Sequence, residues 1–105
     1  MTKVSITPKP TFTVTVDIPQ PGAEALKLPV IYRHRTKSQL AEFSKVDPDK
    51  PRNDLAVVMD VLDGWEADKD FSRDAVEAFL NDHHAAGDVI VARYINELTK
   101  ARAGN

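Results

Sequence analysis

The sequence contains no cysteine, only four glycines and a single tryptophan among its 105 residues. The absence of cysteine excludes disulfides, thiolate metal sites and cysteine nucleophiles, and it is typical of proteins in a reducing compartment. No stretch approaches the roughly 20 apolar residues that a membrane span requires, and the first residues lack an apolar run of signal-peptide length. We therefore expect a protein that stays in the cytoplasm and has no membrane partner.

Apolar residues make up 42% of the sequence and charged residues 29%, as in an ordinary globular protein. A chain of this length is sufficient for one hydrophobic core. Residues 1–10 contain two prolines and few large apolar side chains, which predicts a flexible N-terminal arm. Residues 11–105 are predicted to form a single α+β domain.

Charge is distributed unevenly along the chain. The net charge of −2 argues against nucleic acid as the main partner. Residues 1–53 carry nine Lys and Arg against five Asp and Glu, a net of +4, whereas residues 54–105 carry five against eleven, a net of −6. The commoner explanation is that the protein has two solvent-exposed faces that differ in charge. A dipolar molecule that associates head to tail, or that clamps a partner of mixed charge, is the alternative, so self-association remains possible.

Two segments after the arm alternate between apolar and polar residues, the pattern of half-buried strands. The first runs from Thr11 to Ile18 and is followed by the turn sequence 19–22, which contains two prolines and a glycine. The second occupies about 26–32, and Pro29 predicts that it lies at a sheet edge or contains a bulge. Strands within about 11–35 therefore predict an N-terminal β-hairpin or a small antiparallel sheet.

Residues 36–102 are predicted to form three to four short helices, interrupted by a proline-containing loop at 47–52. The predicted N-caps are Thr36 or Ser38, Asn53 or Asp54, and Ser72. Gly64 is predicted to end the second helix, although the β-branched residues at 56–62 leave a buried strand open as an alternative. The last helix is predicted to run from about Asp88 to about Arg102. Its apolar stripe is Val91, Tyr94, Ile95 and Leu98.

The sequence offers little for catalysis or metal binding. His83 and His84 are adjacent and would point about 100° apart on a helix, a poor arrangement for two ligands. The run that begins at Asp68 resembles the start of a calcium loop, but it has Arg73 where glycine is needed and Phe79 where glutamate is needed. P-loop, dinucleotide and nucleophile-elbow motifs are absent. We expect no catalytic residue, no cofactor and no metal.

Four aromatic residues are expected to be structural and not functional. Large aromatic side chains are costly to leave in water, so a single tryptophan more often fills a core than marks a binding site. Trp65 is expected to cover the junction of the second and third helices. The residues expected to be structural are Trp65, Phe71, Phe79 and Tyr94.

The second helix carries more apolar residues than one buried face needs. Residues 54–62 are apolar at every position except Asp54 and Asp60. The surplus is either buried by the other helices, the commoner explanation, or available to a partner helix. The predicted partner-binding surface contains Val57 and Val61 with the two strands, and its polar rim is formed by Tyr32, Arg33 and Arg35.

The order of several features resembles the tail assembly chaperones of long-tailed bacteriophages over roughly residues 12–100. Two strands end in Tyr32-Arg33-His34-Arg35-Thr36, followed by Leu40 and Phe43. A helix then closes on Gly64-Trp65, an acidic spacer leads to Phe71-Ser72, and the final helix bears Tyr94. The Gly-Trp step, the acidic spacer and the Phe-Ser step are the most specific part of the resemblance.

The resemblance implies a non-enzymatic phage or prophage protein that acts in the cytoplasm of the bacterial host. Such chaperones bind the tape measure protein, keep its apolar helices from aggregating, and help to bring tail tube protein to it without entering the finished virion. Two other classes remain open. One is a small regulatory or antitoxin-like protein that binds nucleic acid through the basic cluster at 33–37, and the other is a non-catalytic enzyme subunit.

Overall fold

The computed structural model describes residues 3–45 and 53–100, which form a three-stranded antiparallel sheet and four helices. In chain order the elements are β1 (Thr11–Gln20), β2 (Ala23–Arg33), α1 (Lys37–Ser44), α2 (Asp54–Val61), β3 (Leu62–Trp65), α3 (Arg73–Asp82) and α4 (Ala86–Thr99). The α+β class predicted from the sequence is confirmed. The predicted loop at 47–52 and the predicted end of the last helix after Lys100 lie outside the described residues.

The hairpin of β1 and β2 follows the alternation in the sequence. Thr11 lies opposite Arg33, and the register continues without interruption until Ile18 lies opposite Leu26. Gly22 turns the chain between the strands. Its backbone angle φ is +70°, a conformation that residues other than glycine rarely adopt. The apolar side chains of both strands point to one face, which the helices cover.

Leu62–Trp65 forms a strand, whereas the sequence predicted that the second helix continues to Gly64. The helix ends at Val61, and Leu62 adopts extended backbone angles of φ −96° and ψ 137°. Gly64 lies opposite Ile31, where a Cβ would meet Ile31 Cδ1 at 3.4 Å. That distance is an ordinary van der Waals contact, so a side chain would fit at this position. Gly64 lies within a strand, and its predicted role as a helix terminator is wrong.

β2 is the central strand of the sheet, so of the two alternatives predicted from Pro29 the sheet edge is wrong. The pairing of β2 with β3 does contain a register irregularity, between Ile31 and Tyr32. The Pro29 carbonyl accepts a hydrogen bond from the Glu66 N–H at 2.9 Å, on the side that faces β3. Glu66 is already beyond the end of β3 at Trp65. Because Pro29 has no N–H, it cannot donate a hydrogen bond toward β3. It lies opposite a residue beyond the end of that strand, so a proline is tolerated there.

Three of the four described helices begin where the sequence places capping residues, whereas α4 begins after Ala85 without a side-chain cap. The side chains of Thr36, Asn53 and Ser72 accept hydrogen bonds from the first turns of α1, α2 and α3. α4 starts two residues earlier than predicted and buries Ile90 together with Tyr94 against the sheet and α2, while the rest of the predicted stripe is half-buried. The core formed by these elements fixes the ends of β2 and α2, where the predicted partner-binding residues lie.

Among the helices of the described residues, none combines the length and the apolar content that crossing a membrane requires. Residues 3–10, the described part of the N-terminal arm, contain neither helix nor strand, and their side chains are exposed.

Candidate partner-binding surface

The structure divides the five predicted partner-binding residues between the core and the surface. Tyr32 and Val61 have no solvent exposure at all, so central burial explains this part of the apolar surplus of α2. Val57 is half-buried, on the flank of the helix. The Arg33 side chain is 52% exposed and that of Arg35 is 16% exposed. The folded chain can therefore offer Val57, Arg33 and part of Arg35 to a partner, but not Tyr32 or Val61.

Tyr32 anchors the sheet to the last helix. Its phenol donates a buried hydrogen bond to the Ile90 carbonyl at 2.8 Å. Its ring packs against Phe12, at a centroid distance of 5.4 Å, and against Tyr94, at 5.1 Å. Burial disfavours the phenolate and raises the pKa of Tyr32 well above its ordinary value. Tyr32 therefore belongs to the structural residues of the core.

Arg35 connects three helices to the end of β2. Its guanidinium donates to Asp60 Oδ2 at 2.7 Å and to the Tyr94 hydroxyl at 2.8 Å. It also lies over the Phe43 ring, 4.4 Å from the centroid, where the ring face attracts a cation. The Tyr94 hydroxyl in turn donates to the Arg33 carbonyl at 2.7 Å. This network holds the start of the connection from β2 to α1 against α2 and α4.

Arg33 remains accessible although it is anchored. Its Nε donates to the Leu62 carbonyl at 3.2 Å, and its Nη2 lies 3.7 Å from Asp63 Oδ1. The side chains of this ion pair are 52% and 53% exposed. The pair therefore leaves one cation and one carboxylate facing solvent at the edge of β2 and β3.

Val57 extends this charged region with an apolar side chain. It precedes Asp60 by three residues on α2, so the two side chains are neighbours on one helix face. A shallow depression of about 270 Å³ lies beside Asp60, and its other lining residues are Arg33, His34, Arg35 and Gln39. We call Val57, Asp60, Asp63, Arg33 and Arg35 together the α2 surface. It offers an apolar side chain next to two ion pairs, an arrangement suited to binding a protein segment.

The aromatic residues expected to be structural form two clusters. Trp65 meets Phe71 and Phe79 edge to face, at centroid distances of 5.5 and 5.6 Å, and its indole N–H donates to the Lys69 carbonyl at 2.8 Å. Tyr94 is fully buried beside Tyr32. Trp65 is half-buried and lies in β3 at the approach to α3. Their contacts are with other parts of the same chain, which is consistent with structural roles.

Asp60 and Asp63 are the surface residues that sequence reasoning missed. Asp60 stands out in the sequence as the one acidic residue inside the apolar run 55–62, and that isolation is a signal for a specific ion pair. Asp63 offers no such signal, because its pairing depends on the strand β3. Among the described residues, no group of three His, Asp or Glu is placed to hold a metal ion.

One comparison with known proteins gives a match over the whole chain. A family model described as phage tail assembly chaperone matches residues 1–105. No curated protein and no solved structure matches the chain.

Proposed function

The chain belongs to the phage tail assembly chaperone family, and from this membership we propose that it binds the tape measure protein of its phage. On this proposal it acts without catalysis in the cytoplasm of the bacterial host. It keeps the apolar helices of the tape measure protein from aggregating, assists the addition of tail tube protein, and leaves before the virion is finished.

We further propose that the α2 surface is the site where the tape measure protein binds. The observation that carries this proposal is the pairing of Val57, an apolar side chain that is not fully buried, with the exposed ion pair of Arg33 and Asp63. Amphipathic helices bind through apolar residues at helical spacing, and charges at the rim of the interface set their orientation. The α2 surface supplies both kinds of contact on rigid elements.

The geometry gives less support to the nucleic-acid alternative. Arg33 and Arg35, the two arginines of the basic cluster, lie beside Asp63 and Asp60. Cations that are already paired release few counterions when they meet phosphates, and that release supplies most of the affinity for nucleic acid. The same pairing is compatible with a protein partner, since partner charges can exchange with those of the pair.

Co-expression with fragments of the tape measure protein tests the proposal. We expect the wild-type chain to keep a fragment soluble and to co-purify with it. Arg33→Glu should weaken this interaction because it reverses an exposed charge of the α2 surface. Lys27→Glu is the matched control: it makes the same charge change on the same strand, and the side chain of Lys27 is 73% exposed.

Val57→Asp provides a second variant on the α2 surface, and circular dichroism of each variant establishes that it is folded. If both folded variants solubilise the fragment as well as Lys27→Glu does, the α2 surface is not the binding site. If the wild-type chain neither binds nor solubilises any fragment, tape measure binding itself is refuted.

A further inference from the structure

The N-terminal arm carries two large apolar side chains in water. Val4 is 86% exposed and Ile6 is 93% exposed in the structure. Lys3 and Lys9 flank them, and no acidic residue precedes Asp17 in the sequence. A cationic segment with uncovered apolar side chains has the chemistry to bind an acidic groove with an apolar floor.

Such a groove lies between the beginning of α2 and the exposed side of α3. Its volume is about 720 Å³, and the described residues that line it include Leu55, Leu80, Asp54, Asp74 and Glu77 and none that is basic. The two leucines are half-buried and form the floor, while the three acidic residues are exposed and form the rim. We call this feature the α2–α3 groove. It is separate from the α2 surface, which lies on the flank of α2 that carries Val57 and Asp60.

The arm and the groove lie at opposite ends of α4. The arm leaves the fold at Pro10, whose carbonyl accepts a hydrogen bond from the His34 N–H at 2.9 Å. Nearby, Phe12 and His34 line a depression together with Leu98, near the end of α4. The groove lies at the other end, where Gly87 packs so closely on Asp54 that a Cβ would come within 2.9 Å of the carboxylate. Leu98 follows Gly87 by 11 positions, which corresponds to about 16 Å of helix at about 1.5 Å per residue. One molecule thus presents the two complementary features at separate ends.

We propose that the N-terminal arm of one molecule binds in the α2–α3 groove of a second copy of this chain. Val4 and Ile6 cover the leucine floor, and Lys3 and Lys9 face the acidic rim. The uneven charge of the sequence, +4 in residues 1–53 and −6 in residues 54–105, favours the same head-to-tail orientation. A head-to-tail contact leaves one free arm and one free groove on every dimer, so association continues into rings or open chains.

The proposed contact is small and depends on charge, and these two properties determine its affinity and its dependence on salt. A segment as short as the arm buries much less than the roughly 1,600 Å² of a standard interface, so the association is weak and depends on protein concentration. It should also weaken as salt rises from about 0.1 M to about 1 M, because the Debye length then falls from about 10 Å to about 3 Å.

Sedimentation velocity of the full chain at increasing concentration, in low salt, tests the proposal. The wild-type chain should form larger species as its concentration rises. An arm variant, Lys3→Glu with Ile6→Ser and Lys9→Glu, should remain monomeric. A groove variant, Glu77→Lys with Asn81→Lys, changes two residues that line the groove and should also remain monomeric. Its matched control, Glu66→Lys with Asn96→Lys, makes the same chemical changes on exposed residues outside the groove and should associate like the wild type.

Mixing the two monomeric variants gives the sharpest outcome. The arm variant keeps an intact groove and the groove variant keeps an intact arm, so the mixture should contain a one-to-one dimer and nothing larger. A wild-type chain that stays monomeric overturns the proposal, and this includes the case in which the arm occupies the groove of its own molecule. Association that survives either variant, or a mixture that contains only monomers, overturns it as well. None of these results depends on whether the tape measure protein binds.

Discussion

At the scale of single residues, Arg35 belongs to a basic cluster in the sequence that suggests a surface position. In the structure it instead links the end of β2 to three helices. In the sequence it stands in a basic run that ends at Lys37. In the structure its guanidinium contacts Asp60, Tyr94 and Phe43, which belong to three different helices. Only 16% of the side chain is exposed, so these contacts are partly shielded from water and contribute to stability.

Replacing Arg35 by methionine should lower the free energy of unfolding by about 2 kcal/mol. Hydrogen bonds to charged groups contribute about 1.5–3 kcal/mol, and the half-exposed carboxylate of Asp60 moderates the loss. Lys27→Met is the control, because Lys27 and Asp17 form an exposed pair at 3.0 Å that should contribute no more than about 1 kcal/mol. Urea denaturation of both variants measures the difference, and equal effects would show that Arg35 is not a structural link.

Trp65 also acts locally, through its edge-to-face contacts with Phe71 and Phe79 and its bond to the Lys69 carbonyl. Truncating a buried aromatic residue costs roughly 3–5 kcal/mol, and half-burial places Trp65→Ala at the low end, about 3 kcal/mol. Trp65→Phe keeps an aromatic ring and should cost about 1 kcal/mol, the value of one hydrogen bond. Thermal and urea unfolding measure both losses. A stable Trp65→Ala variant that fails to bind its partner would instead identify Trp65 as a contact residue.

At the scale of elements, the long hairpin could be predicted from the sequence and the short strand could not. β1 alternates between apolar and polar residues from Thr11 to Ile18, and β2 repeats a large apolar residue at every second position from Leu26 to Tyr32. This period of two is typical of a half-buried strand. β3 has four residues, among them Asp63 and Gly64, and its backbone is extended because β2 offers it hydrogen-bond partners. Pairing of this kind connects residues about 30 positions apart, so no local pattern in the sequence reports it.

The candidate site shows the same division between local and long-range information. The sequence predicted Arg33, Arg35 and Val57 as partner-binding residues, because charge clusters and apolar surplus are visible locally, and the structure leaves all three at least partly exposed. It also included Tyr32 and Val61, since a helix or strand pattern does not tell which of two apolar sides the rest of the chain covers. The acidic partners of the arginines come from α2 and β3, and they become evident only when these elements lie against β2.

The two sides of α2 should respond differently to a charge. Val61 has no solvent exposure, so Val61→Asp buries an unpaired carboxylate and should unfold the domain. Val57 is half-buried, and Val57→Asp can turn its carboxylate to water and should keep the helical far-ultraviolet circular dichroism of the wild type. Circular dichroism of the pair checks this. A folded Val61→Asp variant would mean that the interior of α2 is more open than the structure shows.

At the scale of the whole molecule, three surfaces are arranged around one core. The α2 surface combines an apolar side chain with two ion pairs, the α2–α3 groove is acidic, and the N-terminal arm is basic. A chaperone with separate surfaces for its client and for its own copies can gather several copies along an extended client. Each site can then be weak, because linked sites bind together more strongly than either does alone.

Hydrogen–deuterium exchange of the chain, free and bound to a soluble tape measure fragment, tests the central claim that a folded domain binds this client through the α2 surface. We expect slower exchange on binding in peptides that cover 31–36 and 54–63, and no change at the tip of the β1–β2 hairpin. Exchange at the buried residues Val58 and Val61 should stay slow, because the core remains closed. Unchanged exchange across 31–36 and 54–63, or faster exchange at Val58 and Val61 when the fragment binds, would contradict the account.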